Sequence, residues 1–140
     1  MYKKILHAND GSEGAFKALR AAIELSKITG AELHMVLVAE IDEFPETIGE
    51  VKAERTTAER RYRDVVQRAQ KAAEARGVTL AKPHLLTGHT IRVITDLAGR
   101  LGADLLVVGA SGHSGIFERL LGTKADRLVD LSPCSVLVVR

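Results

Sequence analysis

Ala103-Asp-Leu-Leu-Val-Val-Gly109-Ala-Ser-Gly112-His-Ser-Gly115-Ile-Phe-Glu-Arg-Leu-Leu-Gly122-Thr123 is the stretch on which the reading of this fold turns. It opens as a strand, Asp104 to Val108, whose four consecutive apolar residues suit a sheet covered on both faces. The strand stops at Gly109, and Gly112 and Gly115 follow at intervals of three. Gly122-Thr123 then opens a helix that runs to about Leu131. Closely spaced glycines let backbone N–H groups turn into one concavity. The Gly-Thr pair adds a hydroxyl and bare amides at the positive end of a helix dipole, where anions bind. The spacing Gly109-x2-Gly112-x9-Gly122-Thr123 therefore predicts a phosphate cradle. Its competing reading is a strand-to-helix turn in which the glycines hold nothing.

Outward from this stretch, apolar runs alternate with helical periods. Lys3 to Ala8 reads as a first strand ended by the turn Asn9-Asp10-Gly11-Ser12. A helix from Glu13 to Thr29 places Phe16, Leu19, Ala22, Ile23 and Ser26 on one face. Glu32 to Ala39 is a second strand, and strand-helix-strand at this spacing implies parallel pairing with a right-handed crossover. Glu40 to Glu50 is acidic and aperiodic and is expected to be a surface loop that acts as a lid over a ligand. A long helix from about Val51 to Arg76 turns Ala58, Tyr62, Val65, Val66, Ala69 and Ala73 inward. Its Glu54, Arg55, Glu59, Arg60, Arg61 and Arg63 alternate in sign, as on a solvated face. Thr79 to Leu86, interrupted near Pro83, suits an edge strand. A third helix carries Ile91, Ile94, Leu97, Ala98 and Leu101 inward. After the fourth strand and the Thr123 helix, with Ala125, Leu128 and Val129 facing in, Ser135 to Val139 is the fifth strand.

Five strands alternating with four helices predict a three-layer α/β sandwich, one domain over residues 1–140, with a parallel sheet of order 3-2-1-4-5. This is a flavodoxin-like or adenine nucleotide alpha hydrolase-like architecture. Its topological switch lies between strands one and four, and ligands in such sheets bind outside the carboxyl ends of the strands there. Asn9-Asp10 and Gly109 to Gly112 leave those two strands, so Asp10 is expected beside the phosphate cradle.

With 140 residues, 46% hydrophobic and 27% charged, the chain has the composition of a soluble globular domain. A net charge of +2 is too small to argue for nucleic acid or an anionic membrane as partner. The single cysteine, Cys134, excludes an internal disulfide and reads as a small core residue. Neither a signal-peptide pattern nor an apolar run of membrane-spanning length is seen, so a cytoplasmic protein is expected. The five histidines, His7, His34, His84, His89 and His113, form no HxxxH pair and have no cysteine partner.

The glycine motif, together with Asp10-Gly11-Ser12 after the first strand, Gly88 before the third helix, Ala103-Asp-Leu-Leu-Val-Val-Gly109 and the tail Ser132-Pro-Cys-Ser-Val-Leu-Val-Val-Arg140, resembles the universal stress protein family along the whole chain. Nucleotide-binding members of that family carry G-x2-G-x9-G-(S/T). The resemblance implies an ATP-binding stress-response regulator, with ADP or AMP as other ligands and Mg2+ or Mn2+ accompanying the nucleotide. It places Ala8, Asn9 and Asp10 against adenine and ribose, with Asp10 bonding the nucleoside or helping to hold the metal. Val38 meets the adenine ring, Val108 closes the strand beneath, and Gly109, Ser111, Gly112, Gly122, Thr123 and Lys124 surround ribose and phosphates, with His113 a phosphate neighbour. The family also implies a homodimer through Ser135–Val139, whose apolar edge invites pairing.

Two departures stand out. Thr123 replaces the commoner serine, and Lys124 occupies a position that is usually apolar. Gly122-Thr123-Lys124 reverses the Gly-Lys-Thr order of a Walker A loop, so no lysine is set on the β/γ-phosphates in that manner and rapid hydrolysis is not expected. The alternative class is a dimeric interaction module of the same fold that binds no nucleotide.

Overall fold

The computed structural model describes residues 1–40, 48–110 and 123–140; the side chains of 48–58 and of Thr123 fall outside the described set. The elements run β1 (Lys4–Ala8), α1 (Glu13–Thr29), β2 (Glu32–Ala39), α2 (Ile48–Ala75), β3 (His84–Thr87), α3 (Thr90–Leu101), β4 (Leu105–Gly109), α4 (Thr123–Leu131) and β5 (Ser135–Val139). All pairings are parallel, and the sheet order is β3-β2-β1-β4-β5. This is the expected order, with its switch between β1 and β4.

The sheet separates two apolar clusters, which makes the structure three-layered. On one side Ile5, Leu33, Met35, Leu37, Leu105 and Val107 pack with Phe16, Leu19 and Ile23 of α1 and with Val65, Ala69 and Ala73 of α2. On the other, Leu6, Val36, Leu106 and Val108 pack with Ile94, Leu97 and Ala98 of α3 and with Ala125 and Leu128 of α4. Strand residues of odd and even number thus go to opposite clusters, as the pleat requires. Because both faces are covered, β4 is buried from Leu105 to Val108 without a polar interruption.

Three sequence expectations need correction. The third strand is confined to His84–Thr87, preceded by one isolated bridge, Leu80 with Leu33, because Pro83 supplies no N–H for a continuous ladder. The helix expected to begin at Val51 begins at Ile48, inside the segment assigned to the loop. Residues 41–47 of the expected lid lie outside the described set. Val129 is 49% exposed rather than inward, while Ala125 and Leu128 are buried. Cys134 is half-buried and packs at the margin of the α3/α4 cluster.

Candidate functional site

The carboxyl ends of β1 and β4 leave the sheet side by side, because the register pairs His7 with Val107. Beyond that pair the β1 chain enters the Asn9-Asp10-Gly11-Ser12 turn, which several hydrogen bonds hold in place. Asn9 is buried and its N–H donates to the Val36 carbonyl at 3.0 Å. Its Oδ1 accepts from the Gly11 N–H at 2.8 Å, and its Nδ2 donates to His7 Nε2 at 3.1 Å. Asp10 is exposed, with Oδ1 accepting from the Ser12 N–H at 3.0 Å. Ser12 then caps α1, its Oγ accepting from the Ala15 N–H at 3.1 Å.

His7 fixes this arrangement from beneath. It is fully buried, and its Nδ1 lies 3.0 Å from the Val107 carbonyl. A carbonyl only accepts, so Nδ1 carries the proton and Nε2 is left as the acceptor that Asn9 requires. Burial pushes the His7 pKa down to about 4, against the smaller opposing pull of the Val107 carbonyl and the Asp10 charge. The ring is therefore neutral at physiological pH.

Two glycines explain why backbones can meet here. Gly11 has φ +84°, a left-handed conformation that side chains disfavour, and a Cβ there would lie 3.1 Å from Val65 Cγ2. A Cβ on Gly109 would lie 2.9 Å from the Gly14 carbonyl oxygen and 3.0 Å from its carbon. Part of the requirement for Gly109 is thus the close approach of α1 to the end of β4.

Helix α2 reaches over the same rim. Arg61 Nη2 donates to the Asp10 carbonyl at 2.5 Å, and the Tyr62 hydroxyl donates to the Val38 carbonyl at 3.3 Å. Arg61 is exposed, as expected of a solvated face, and adds this contact with Asp10. Partial burial, opposed by the Arg61 charge, pushes the Tyr62 pKa upward, and the phenol stays a donor. Val38 lies one residue before the end of β2, half-buried, and together with Ala8 and Leu86 flanks the α3/α4 cluster. Val108 is buried in that cluster directly before Gly109.

Facing this rim from the other side, the Glu40 carboxylate joins three elements. Its Oε1 accepts from the Thr90 hydroxyl at 2.5 Å and from Lys124 Nζ at 3.0 Å. The Thr90 hydroxyl first, and Lys124 second, hold the Glu40 carboxyl below the ordinary carboxylate range. Glu40, Thr90, Arg61, Tyr62 and His7 were not singled out for this region from the sequence.

Of the residues assigned to a site from sequence, Ala8, Asn9, Asp10, Val38, Val108 and Gly109 therefore gather at the carboxyl ends of β1, β2 and β4, with Lys124 at the start of α4. Thr123 is the first residue of α4. Ser111, Gly112, His113 and Gly122 lie outside the described residues. His34 and His84 sit elsewhere, their rings 5.7 Å apart on neighbouring strands. Among the described residues no group of three or more His, Cys, Asp or Glu converges to hold a metal ion, and Asp10 is the one carboxylate on the turn at this rim.

A family model described as the universal stress protein family matches residues 1–140. The chain belongs to that family. Universal stress protein YxiE of Bacillus subtilis (strain 168) is 33% identical to it over 152 residues, covering 100% of both chains. Among solved structures, universal stress protein UspA from Lactobacillus plantarum superimposes with a TM-score of 0.85 at 26% identity, over 99% of this chain and 98% of the other. A universal stress protein in complex with cAMP superimposes with a TM-score of 0.75 at 26% identity, over 99% and 97% of the two chains. As a universal stress protein, this chain thus shares its fold with a relative that was solved with cAMP bound. No helix among its described residues is long and apolar enough to cross a membrane.

Proposed function

We propose that this universal stress protein, acting as one domain over residues 1–140, is a cytoplasmic stress-response regulator that holds an adenine nucleotide at the carboxyl ends of β1 and β4. The observation that carries the reading is the His7–Asn9–Gly11 chain of hydrogen bonds. It fixes the Asp10 turn at the switch point, next to the strand that feeds Gly109-x2-Gly112-x9-Gly122-Thr123. Asp10 offers a carboxylate to the nucleoside, and Ala8, Asn9 and Val38 line the base side. Ser111, Gly112, His113, Gly122 and Thr123 receive the phosphates, Thr123 being the first residue of α4. ATP, ADP and AMP share the groups that this arrangement recognises. Mg2+ or Mn2+ enters with the phosphate chain, and Asp10 adds at most one ligand. Because Gly122-Thr123-Lys124 reverses the Walker A order, the protein retains nucleotide or turns it over slowly.

The outer edge of β5 supports a homodimer of the same regulator. Calorimetric titration with ATP tests the nucleotide site: wild type binds, and Gly112→Val, which fills the cradle with a side chain, loses most of that affinity. Equal affinity in the two proteins removes the site. Freshly purified protein that carries no nucleotide and binds none points instead to an interaction module of the same fold.

A further inference from the structure

We infer that the Glu40 carboxylate holds the Lys124 ammonium and competes for it with the phosphates of a bound nucleotide, so that this pair sets how the site discriminates by phosphate-chain length. The inference rests on the adenine-nucleotide reading above.

Three observations carry it. First, Lys124 directly follows Gly122-Thr123, and its ammonium is the charge nearest in sequence to the phosphate end of the motif. Second, that ammonium is committed to Glu40 Oε1 at 3.0 Å, an oxygen that also accepts from Thr90 at 2.5 Å. Thr90 is the first residue of α3, and Lys124 the second of α4. The carboxylate is therefore an internal anion beside the first turns of two helices, an environment that favours negative charge. Third, the pair is open to water, with 63% of the Lys124 side chain and 58% of that of Glu40 exposed. An exposed pair of this kind is weak and readily exchanged. A phosphate chain carrying two or more charges and several acceptor oxygens outcompetes one carboxylate for the same ammonium. Adenosine, which has no phosphate, leaves the pair intact.

Calorimetric titration of adenosine, AMP and ATP into wild type, Glu40→Gln, Lys124→Met and the double variant tests this. Removing the competing charge in Glu40→Gln raises ATP affinity about fivefold, the scale of a surface ion pair, and leaves adenosine affinity unchanged. Lys124→Met weakens ATP relative to adenosine and abolishes the gain in the double variant. An ATP-to-adenosine affinity ratio that is the same in wild type, Glu40→Gln and Lys124→Met overturns the inference while the nucleotide reading stands. A gain that survives in the double variant overturns it too, since it then reflects general charge rather than exchange at Lys124. Failure of adenosine and ATP to bind wild type and Glu40→Gln alike overturns the nucleotide reading, and the inference with it.

Discussion

His7 Nε2 and Asn9 Nδ2 lie 3.1 Å apart in the interior of the molecule, two side chains whose protonation and orientation determine each other. The Val107 carbonyl fixes the His7 tautomer, the tautomer fixes which end of the Asn9 amide faces it, and the remaining amide oxygen holds Gly11. The position of the Asp10 turn thus depends on an uncharged imidazole under the sheet end.

That dependence gives stability a defined pH response. The folded His7 takes a proton only near pH 4, whereas the unfolded side chain takes one near 6.5. Between those values the unfolded state binds more protons, so stability falls as pH drops through the window, by on the order of 3 kcal/mol in all. Above about pH 6.5 both states are neutral and the term vanishes. His7→Leu, which cannot titrate, lacks this loss. Urea unfolding is expected to show the wild-type advantage over His7→Leu shrinking by roughly 2 kcal/mol between pH 7.5 and pH 5. A constant difference across that range contradicts the assignment.

The same pair predicts energetic coupling. His7→Leu leaves the Asn9 amide N–H without its partner, and Asn9→Ala leaves the Gly11 N–H and His7 Nε2 without theirs. Each buried group stranded in this way costs about 1–3 kcal/mol. The double variant strands fewer groups than the two single variants together, so the cycle is expected to be non-additive by about 1 kcal/mol. Additive losses in urea midpoints would show that the two residues act separately.

Gly109→Ala tests the approach of α1 to β4. The added methyl meets backbone atoms of Gly14 at 2.9 and 3.0 Å, which no rotamer change relieves. Overpacking of this kind costs about 1–3 kcal/mol, and the shift that relieves it moves the α1 N-terminus together with the Asp10 turn. The variant is expected to unfold at lower urea and to bind ATP more weakly than wild type. An unchanged midpoint means that α1 yields without cost.

The strands and their order were legible because burial on both faces leaves uninterrupted apolar runs such as Leu105 to Val108, which periodicity reads directly. Contacts made by side-chain tips were not. Arg61 reaches Asp10 across 51 positions and Lys124 reaches Glu40 across 84, distances over which no local pattern gives information. Arg61 therefore read as one more charge on a mixed helix face. Val129 was misread for a different reason. α4 lies over the last strand of the sheet, so its covered stripe is narrower than that of a central helix, and it takes Ala125 and Leu128 but not their neighbour.

The outer edge of β5 yields the last prediction. Val139 directs its carbonyl to the Ala110 N–H at 2.9 Å, toward β4. The N–H and C=O of one strand residue point the same way and alternate along the chain, so those of Val136 and Val138 point outward. Leu137 is 36% exposed on the same strand, and an apolar edge of this kind templates pairing with another chain. If two copies pair antiparallel there, Val138→Pro removes an outward donor while sparing the bonds to β4, a placement that edge strands tolerate. Two symmetric bonds of about 1 kcal/mol each are lost per dimer, which weakens association roughly 30-fold. Light scattering across the micromolar range is expected to show a dimeric wild type and a variant shifted toward monomer, with both giving the same far-ultraviolet circular dichroism. A monomeric wild type removes the dimer, and a variant that dimerises as wild type does moves its interface away from β5.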